Sequence, residues 1–113
     1  MKRKIKTYGG FFERFIATLL PKELLKLNYI ISLLETTDRM PTKFIKYIRD
    51  GLYELRMEYD RNIYRVFFIF DKDCVVVLFN GFQKKTQKTP EKEIDKAIII
   101  KDEYYADKRP SDT

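Results

Sequence analysis

Leu52-Tyr53-Glu54-Leu55-Arg56-Met57-Glu58-Tyr59, then Asp60-Arg61-Asn62, then Ile63-Tyr64-Arg65-Val66-Phe67-Phe68-Ile69-Phe70 is the stretch that decides the fold. Two runs rich in aromatic and β-branched residues, separated by so few polar ones, read as the strands of an antiparallel hairpin. A third run, 75–82, follows Asp71-Lys72-Asp73-Cys74, a connection too short for a parallel crossover. Register follows from hydrophobicity, because a slip of one residue turns a strand over. With Arg61-Asn62 as the first loop, Tyr53, Leu55, Met57 and Tyr59 share a face with Tyr64, Val66, Phe68 and Phe70, and that apolar face is core. With 71–74 as a four-residue loop, Val75, Val77 and Phe79 join it. The opposite face then collects Glu54, Arg56, Glu58, Arg65, Asn80, Phe82 and Lys84, so Arg56, Arg65 and Lys84 converge on one open side of the sheet. A competing register sets Arg65 beside Met57 and mixes charge into the core.

Upstream, residues 1–8 alternate loosely through Ile5 and Tyr8 and stop at Gly9-Gly10, which reads as an N-terminal strand. Over 11–20, Phe11, Phe12, Phe15, Ile16, Leu19 and Leu20 recur at helical spacing, and Pro21 ends that element or opens the next. Leu24, Leu25, Leu27, Ile31 and Leu34 predict a second helix over 22–35. The polar segment 36–42, with Asp38 and Pro41, reads as a loop, and 44–48 as a short turn or strand.

Downstream, Thr89 as N-cap, Pro90 at the first helical position and acidic residues in the first turn mark a helix start. That helix is expected to run to about Tyr105 and to bury Ile94, Ala97, Ile98 and Tyr105, while the tail 106–113 is expected to fray. The order strand, two helices, three-stranded meander, helix gives an α+β fold. It is a small antiparallel sheet with two N-terminal helices packed on it and a C-terminal helix.

A chain of 113 residues suffices for a single domain over 1–113. Its hydrophobic share of 44%, with nine Phe and eight Tyr, supplies a core without help from a metal or disulfides. Cys74 is the one cysteine and has no intramolecular partner, which fits a reducing compartment. No apolar run spans a bilayer and the N-terminus lacks a signal-peptide core, so a cytoplasmic protein is expected. A net charge of +6 and a pI near 9.4 point to a polyanion, an acidic protein or an anionic surface as partner. The chain has no histidine, which removes the commonest general acid/base and the commonest zinc ligand. With a single cysteine as well, structural zinc is excluded, and no metal or other cofactor is expected. A hydrolytic site must then rely on Lys, Arg, Tyr or carboxylates.

Three segments carry a family resemblance: Gly51-Leu52-Tyr53-Glu54-Leu55-Arg56, Tyr64-Arg65-Val66-Phe67-Phe68, and Phe82-Gln83-Lys84-Lys85-Thr86-Gln87-Lys88-Thr89-Pro90 followed by an Ala-containing helix. Their succession resembles the RelE/HigB superfamily of toxins, in the branch related to phage-derived host-inhibition proteins, and covers about 51–105. The block 84–90, between a strand and a helix, is the most specific piece. The resemblance implies a RelE-like fold and the toxin of a type II toxin-antitoxin pair. Such a toxin enters the ribosomal decoding site, cleaves messenger RNA there as a metal-independent endoribonuclease, and is held inactive by a cognate antitoxin. The implied partners are the antitoxin, the ribosome and mRNA, with no membrane. Some relatives place histidines in the cleavage site, and this sequence has none to carry over. Two other functions stay open: a non-enzymatic ParE-like inhibitor of DNA gyrase, and an RNA- or protein-binding module on the same fold.

The residues present are compatible with RNA cleavage. RNA carries its own nucleophile in the 2′-OH, so an endonuclease need only align it, stabilise the extra charge and protonate the leaving 5′-oxygen. Arginine suits charge stabilisation because its planar fork donates two hydrogen bonds to phosphate oxygens. Lysine among other cations has a lowered pKa and trades protons more readily near neutrality. Arg56, Arg65 and Lys84 are therefore the catalytic candidates. Lys85, Thr86, Lys88 and Tyr64 are the substrate-binding candidates, Tyr64 or Tyr104 as a platform for a displaced base. Each has a plainer alternative: Arg56 pairing with Glu54 or Glu58, the tyrosines packing in the core, the lysines forming a solvated helix start.

Overall fold

The computed structural model describes residues 2–85 and 88–108. Its elements are β1 (Lys4–Thr7), α1 (Phe11–Ile16), α2 (Pro21–Thr36), β2 (Ile45–Arg49), β3 (Leu52–Tyr59), β4 (Asn62–Phe70), β5 (Val75–Lys84) and α3 (Glu91–Asp107). The five strands form one sheet in the order β1-β5-β4-β3-β2. β2 through β5 pair antiparallel, and β1 lies parallel to β5 at one edge. The α+β architecture with two N-terminal helices and a C-terminal helix is as the sequence predicts, with the sheet mixed rather than wholly antiparallel. Among the described residues no helix is long and apolar enough to cross a membrane.

Local chemistry explains the boundaries. Pro21 opens α2 rather than closing α1, and the Leu20 N–H donates to Glu23 Oε1 at 2.8 Å, one half of a capping box. The β3–β4 turn is Asp60-Arg61 and not Arg61-Asn62: both turn residues have positive φ, 49° and 69°, as a tight primed hairpin turn demands. Tyr59 thus pairs with Asn62 and Met57 with Tyr64. The pairing is displaced by two residues, so the faces of both strands stay as anticipated.

On β5 the expectation fails for a definite reason. The Asp71 N–H donates to the Val75 carbonyl at 2.7 Å, which extends the ladder and shortens the loop to Lys72-Asp73-Cys74. That single-residue change puts Val76 and Leu78, not Val75, Val77 and Phe79, on the face with Tyr53 and Phe68. A bulge between the Phe68↔Leu78 and Val66↔Gly81 pairs then restores the parity, so Phe82 lies opposite Arg65 and Lys84 opposite Ile63.

The sheet is buried on both sides. α1 and α2 cover Leu55, Met57, Val66, Phe68, Val76 and Leu78 with Phe12, Phe15, Leu27, Ile30 and Leu34. α3 covers Leu52, Phe67, Ile69, Val77 and Phe79 with Ile94, Ala97, Ile100 and Tyr104. Ile100 and Tyr104, rather than the expected Ile98 and Tyr105, complete the buried stripe, and Tyr105 is exposed. The face read as open is therefore a second core over half its length. Gly81 is required where α1 crosses β5, since a Cβ there would stand 2.5 Å from the Phe15 ring. The tail expected to fray from 106 onward is instead helical to Asp107, and Lys108 Nζ donates to Asp71 Oδ1 at 2.9 Å; residues 109–113 lie outside those described.

Candidate functional site

The cations gather where α3 stops covering the second face. Lys46 of β2 pairs across with Glu54 of β3, Arg56 of β3 with Arg65 of β4, and Lys84 closes β5 beyond Phe82. Four adjacent strands each contribute a cation to one end of one face. Two arginines directly opposite each other repel, and a buried carboxylate offsets that repulsion. Glu54 Oε1 lies 3.2 Å from Arg65 Nε and 3.8 Å from Arg56 Nε, and Thr89 Oγ1 donates to Oε2 at 3.0 Å.

Thr89 was expected to cap α3. Its hydroxyl turns to Glu54 instead, and Pro90 takes the N-cap position with no side-chain cap. The segment leading into α3 is thereby tied to the centre of the cation cluster. Arg56, Glu54, Lys84, Lys46, Lys88 and Thr89 line a groove of about 450 Å³ between the sheet and the start of α3.

Sequence reasoning placed Arg56, Arg65 and Lys84 on one side of the sheet, and the structure brings them together there. It also separates their roles. Arg56 is about one-third exposed, whereas the Arg65 side chain is 4% exposed, so the reading of Arg65 as an open-face residue is overturned. The cause is tertiary: Phe82 stacks on Phe67 beside it, ring centroids 5.7 Å apart, and Glu54 lies against it. Arg65 donates to the Tyr64 carbonyl at 3.0 Å, and its Nε tie to Glu54 lacks hydrogen-bond alignment and is coulombic. Burial pulls the Arg65 pKa down, Glu54 opposes that pull, and Arg56 adds to it. Burial also lowers the Lys84 pKa, and Arg65, Arg56 and Lys46 push it in the same direction against Glu54.

The other candidates scatter. Tyr64 is buried on the opposite face, where its hydroxyl donates to Glu23 and its pKa rises to about 12 through burial and that bond. It offers no platform to a base beside Lys84. Tyr104 is likewise core, donating to Asp71 Oδ2 at 2.5 Å. Lys85 and Lys88 are exposed, Lys88 lining the groove, and Thr86 lies outside the described residues. Two contributors went unread in the sequence, Lys46 and Thr89's bond to Glu54. Lys46 has a signal, since it stands between apolar Ile45 and Ile48 in the segment 44–48, which reads as a short turn or strand. Among the described residues no group of three or more His, Cys, Asp or Glu comes together.

A family model described as "Phage derived protein Gp49-like (DUF891)" matches residues 14–102, which span α2, the four antiparallel strands and most of α3. No curated protein matches the chain.

Proposed function

Because this chain belongs to the Gp49-like family of phage-derived proteins, a family associated with toxins of toxin-antitoxin pairs, we propose that it is such a toxin, acting in the cytoplasm as a ribosome-dependent mRNA endoribonuclease of RelE/HigB type. The observation that supports this reading is the convergence of Lys46, Arg56, Arg65 and Lys84 from four strands around the buried Glu54 carboxylate. That arrangement fits a phosphodiester better than it fits a neutral ligand, because desolvated cations bind phosphate oxygens strongly.

In this mechanism Arg56, about one-third exposed and held by Glu54, binds the scissile phosphate. Arg65 is a positioning residue that acts through Glu54. The substrate's 2′-oxygen attacks phosphorus, forming the O2′–P bond as the P–O5′ bond breaks. The 2′-OH proton leaves to water, and the Lys84 ammonium gives its proton to the departing 5′-oxygen. A lysine with a lowered pKa is a stronger acid for that step.

The deciding experiment is in vitro translation with a primer-extension readout. Codon-aligned cuts in the message are expected. Gyrase-dependent DNA breaks with intact message would assign the fold to gyrase inhibition instead, and neither outcome would leave a binding module.

A further inference from the structure

Five polar or charged side chains are buried among the described residues: Glu23, Glu54, Arg65, Asp71 and Asn80. Four of them have partners. Glu23 is bonded by Leu20 and Tyr64, Glu54 by Thr89, Arg65 by the Tyr64 carbonyl, and Asp71 by Tyr104 and Lys108. Asn80 is 3% exposed, yet neither its Nδ2 nor its Oδ1 has a hydrogen-bond partner among the described residues. A buried amide in that state carries the full desolvation cost of a donor and an acceptor until a water or a ligand bonds it.

Asn80 sits in the β5 bulge, just beyond the last β1 pair at Leu78, where no strand among the described residues pairs with the outer edge of β5. It lines a cleft of about 440 Å³ whose other walls include the Phe11 and Phe82 rings, Gly81, Arg14 and Lys96. Arg14 and Lys96 are exposed, and their cationic ends lie 4.8 Å and 5.9 Å from the Phe11 ring centroid. The cleft thus combines aromatic side chains and exposed cations with a buried carboxamide that carries a donor and an acceptor.

We propose that this cleft is a nucleotide subsite: the Asn80 carboxamide reads the edge of an adenine base, a Phe ring stacks on its face, and Arg14 or Lys96 holds its phosphate. A carboxamide matches the adjacent donor and acceptor of adenine in a bidentate pair, and base stacking on aromatic side chains is the usual mode for single-stranded RNA. A peptide would satisfy the amide but would make no use of the cations as phosphate ligands. The amide is shielded in the free protein, so binding includes its rotation toward the cleft and displacement of the exposed Arg14 and Lys96 side chains. Asn80 and Lys84 are four residues apart on β5, roughly 13 Å of strand, which a short RNA spans. As a place for the RNA substrate the subsite rests on the nuclease reading above; its binding test does not.

The test is a titration of the ¹⁵N-labelled full chain with adenosine 5′-monophosphate, and separately with ribose 5-phosphate, following the Asn80 side-chain amide signals. The monophosphate is expected to move those signals saturably, and ribose 5-phosphate to leave them in place. Asn80→Leu, close in volume, is expected to weaken the monophosphate at least about tenfold, the loss typical of one bidentate base contact. Unmoved Asn80 signals in the unaltered protein overturn the subsite, as a peptide or a buried water at Asn80 would produce. Equal affinity in Asn80→Leu overturns it too. A chain that binds the monophosphate but cuts no message refutes the nuclease and keeps the subsite, and cleavage without monophosphate binding does the reverse.

Discussion

Arg65 Nε lies 3.2 Å from Glu54 Oε1, and both side chains are almost closed to solvent. Each charge is tolerable there because the other is present. Arg65→Ala leaves a buried carboxylate uncompensated, a change that typically costs about 3–5 kcal/mol. Thermal unfolding is expected to show a Tm lower by roughly 10 °C or more. An unchanged Tm would mean that water reaches Glu54 and that the pair is not structural.

Lys84 is the residue whose loss is expected to separate activity from stability. Its pKa is depressed, so at neutral pH the folded state holds an ammonium in an unfavourable place, a penalty relieved as pH rises from the lowered folded value toward the ordinary 10.5. Lys84→Met removes that penalty. It is expected to unfold no more easily than the parent at neutral pH, with any advantage shrinking in alkali, while cleavage falls roughly 10²-fold or more. Denaturant midpoints across pH beside a cleavage assay check both; retained cleavage would remove Lys84 from the mechanism.

The same lysine predicts a pH profile. Protonation of the leaving oxygen needs the ammonium, so single-turnover cleavage is expected to decline as pH passes above the depressed Lys84 pKa. A rate that keeps climbing through that range would assign Lys84 the opposite role, as a base.

Asp71 ties the C-terminal end of α3 to the β4–β5 connection at the far end of the sheet. Burial pushes its pKa up, but hydrogen bonds from Tyr104 and Lys108 outweigh this and hold it below 3.8. Its stabilisation is therefore present above that ordinary value and lost as pH falls toward the lowered one. Asp71→Asn is expected to be less stable near neutrality and to lose part of the parent's acid sensitivity. Urea midpoints near neutral pH and at about pH 3 measure it; parallel midpoints in the two proteins would exclude the latch.

Attack by the substrate's own hydroxyl predicts 2′,3′-cyclic phosphate and 5′-hydroxyl ends. A 2′-deoxy nucleotide at the cut site is expected to abolish the reaction. Equal cutting of the deoxy message would make water the nucleophile and end the mechanism proposed here.

Much of this is legible in the sequence. Alternation in 52–59 and 63–70 identified two strands and their faces, because side-chain direction in a strand has a period of two and survives a displacement of two residues. The helix after Pro90 and the grouping of Arg56, Arg65 and Lys84 followed from the same local rules. What periodicity missed were events one residue long: the Asp71–Val75 bond that turned over Val75, Val77 and Phe79, and the bulge at Asn80 that turned the strand back. Burial of Arg65 was also beyond local reading, since the Phe82 ring and the Glu54 carboxylate that enclose it come from other strands. Sequence determined which residues of 52–59 and 63–70 share a face of the sheet. Only the tertiary structure decided which part of that face α3 covers, because coverage depends on how a distant helix packs and not on any pattern within the strands.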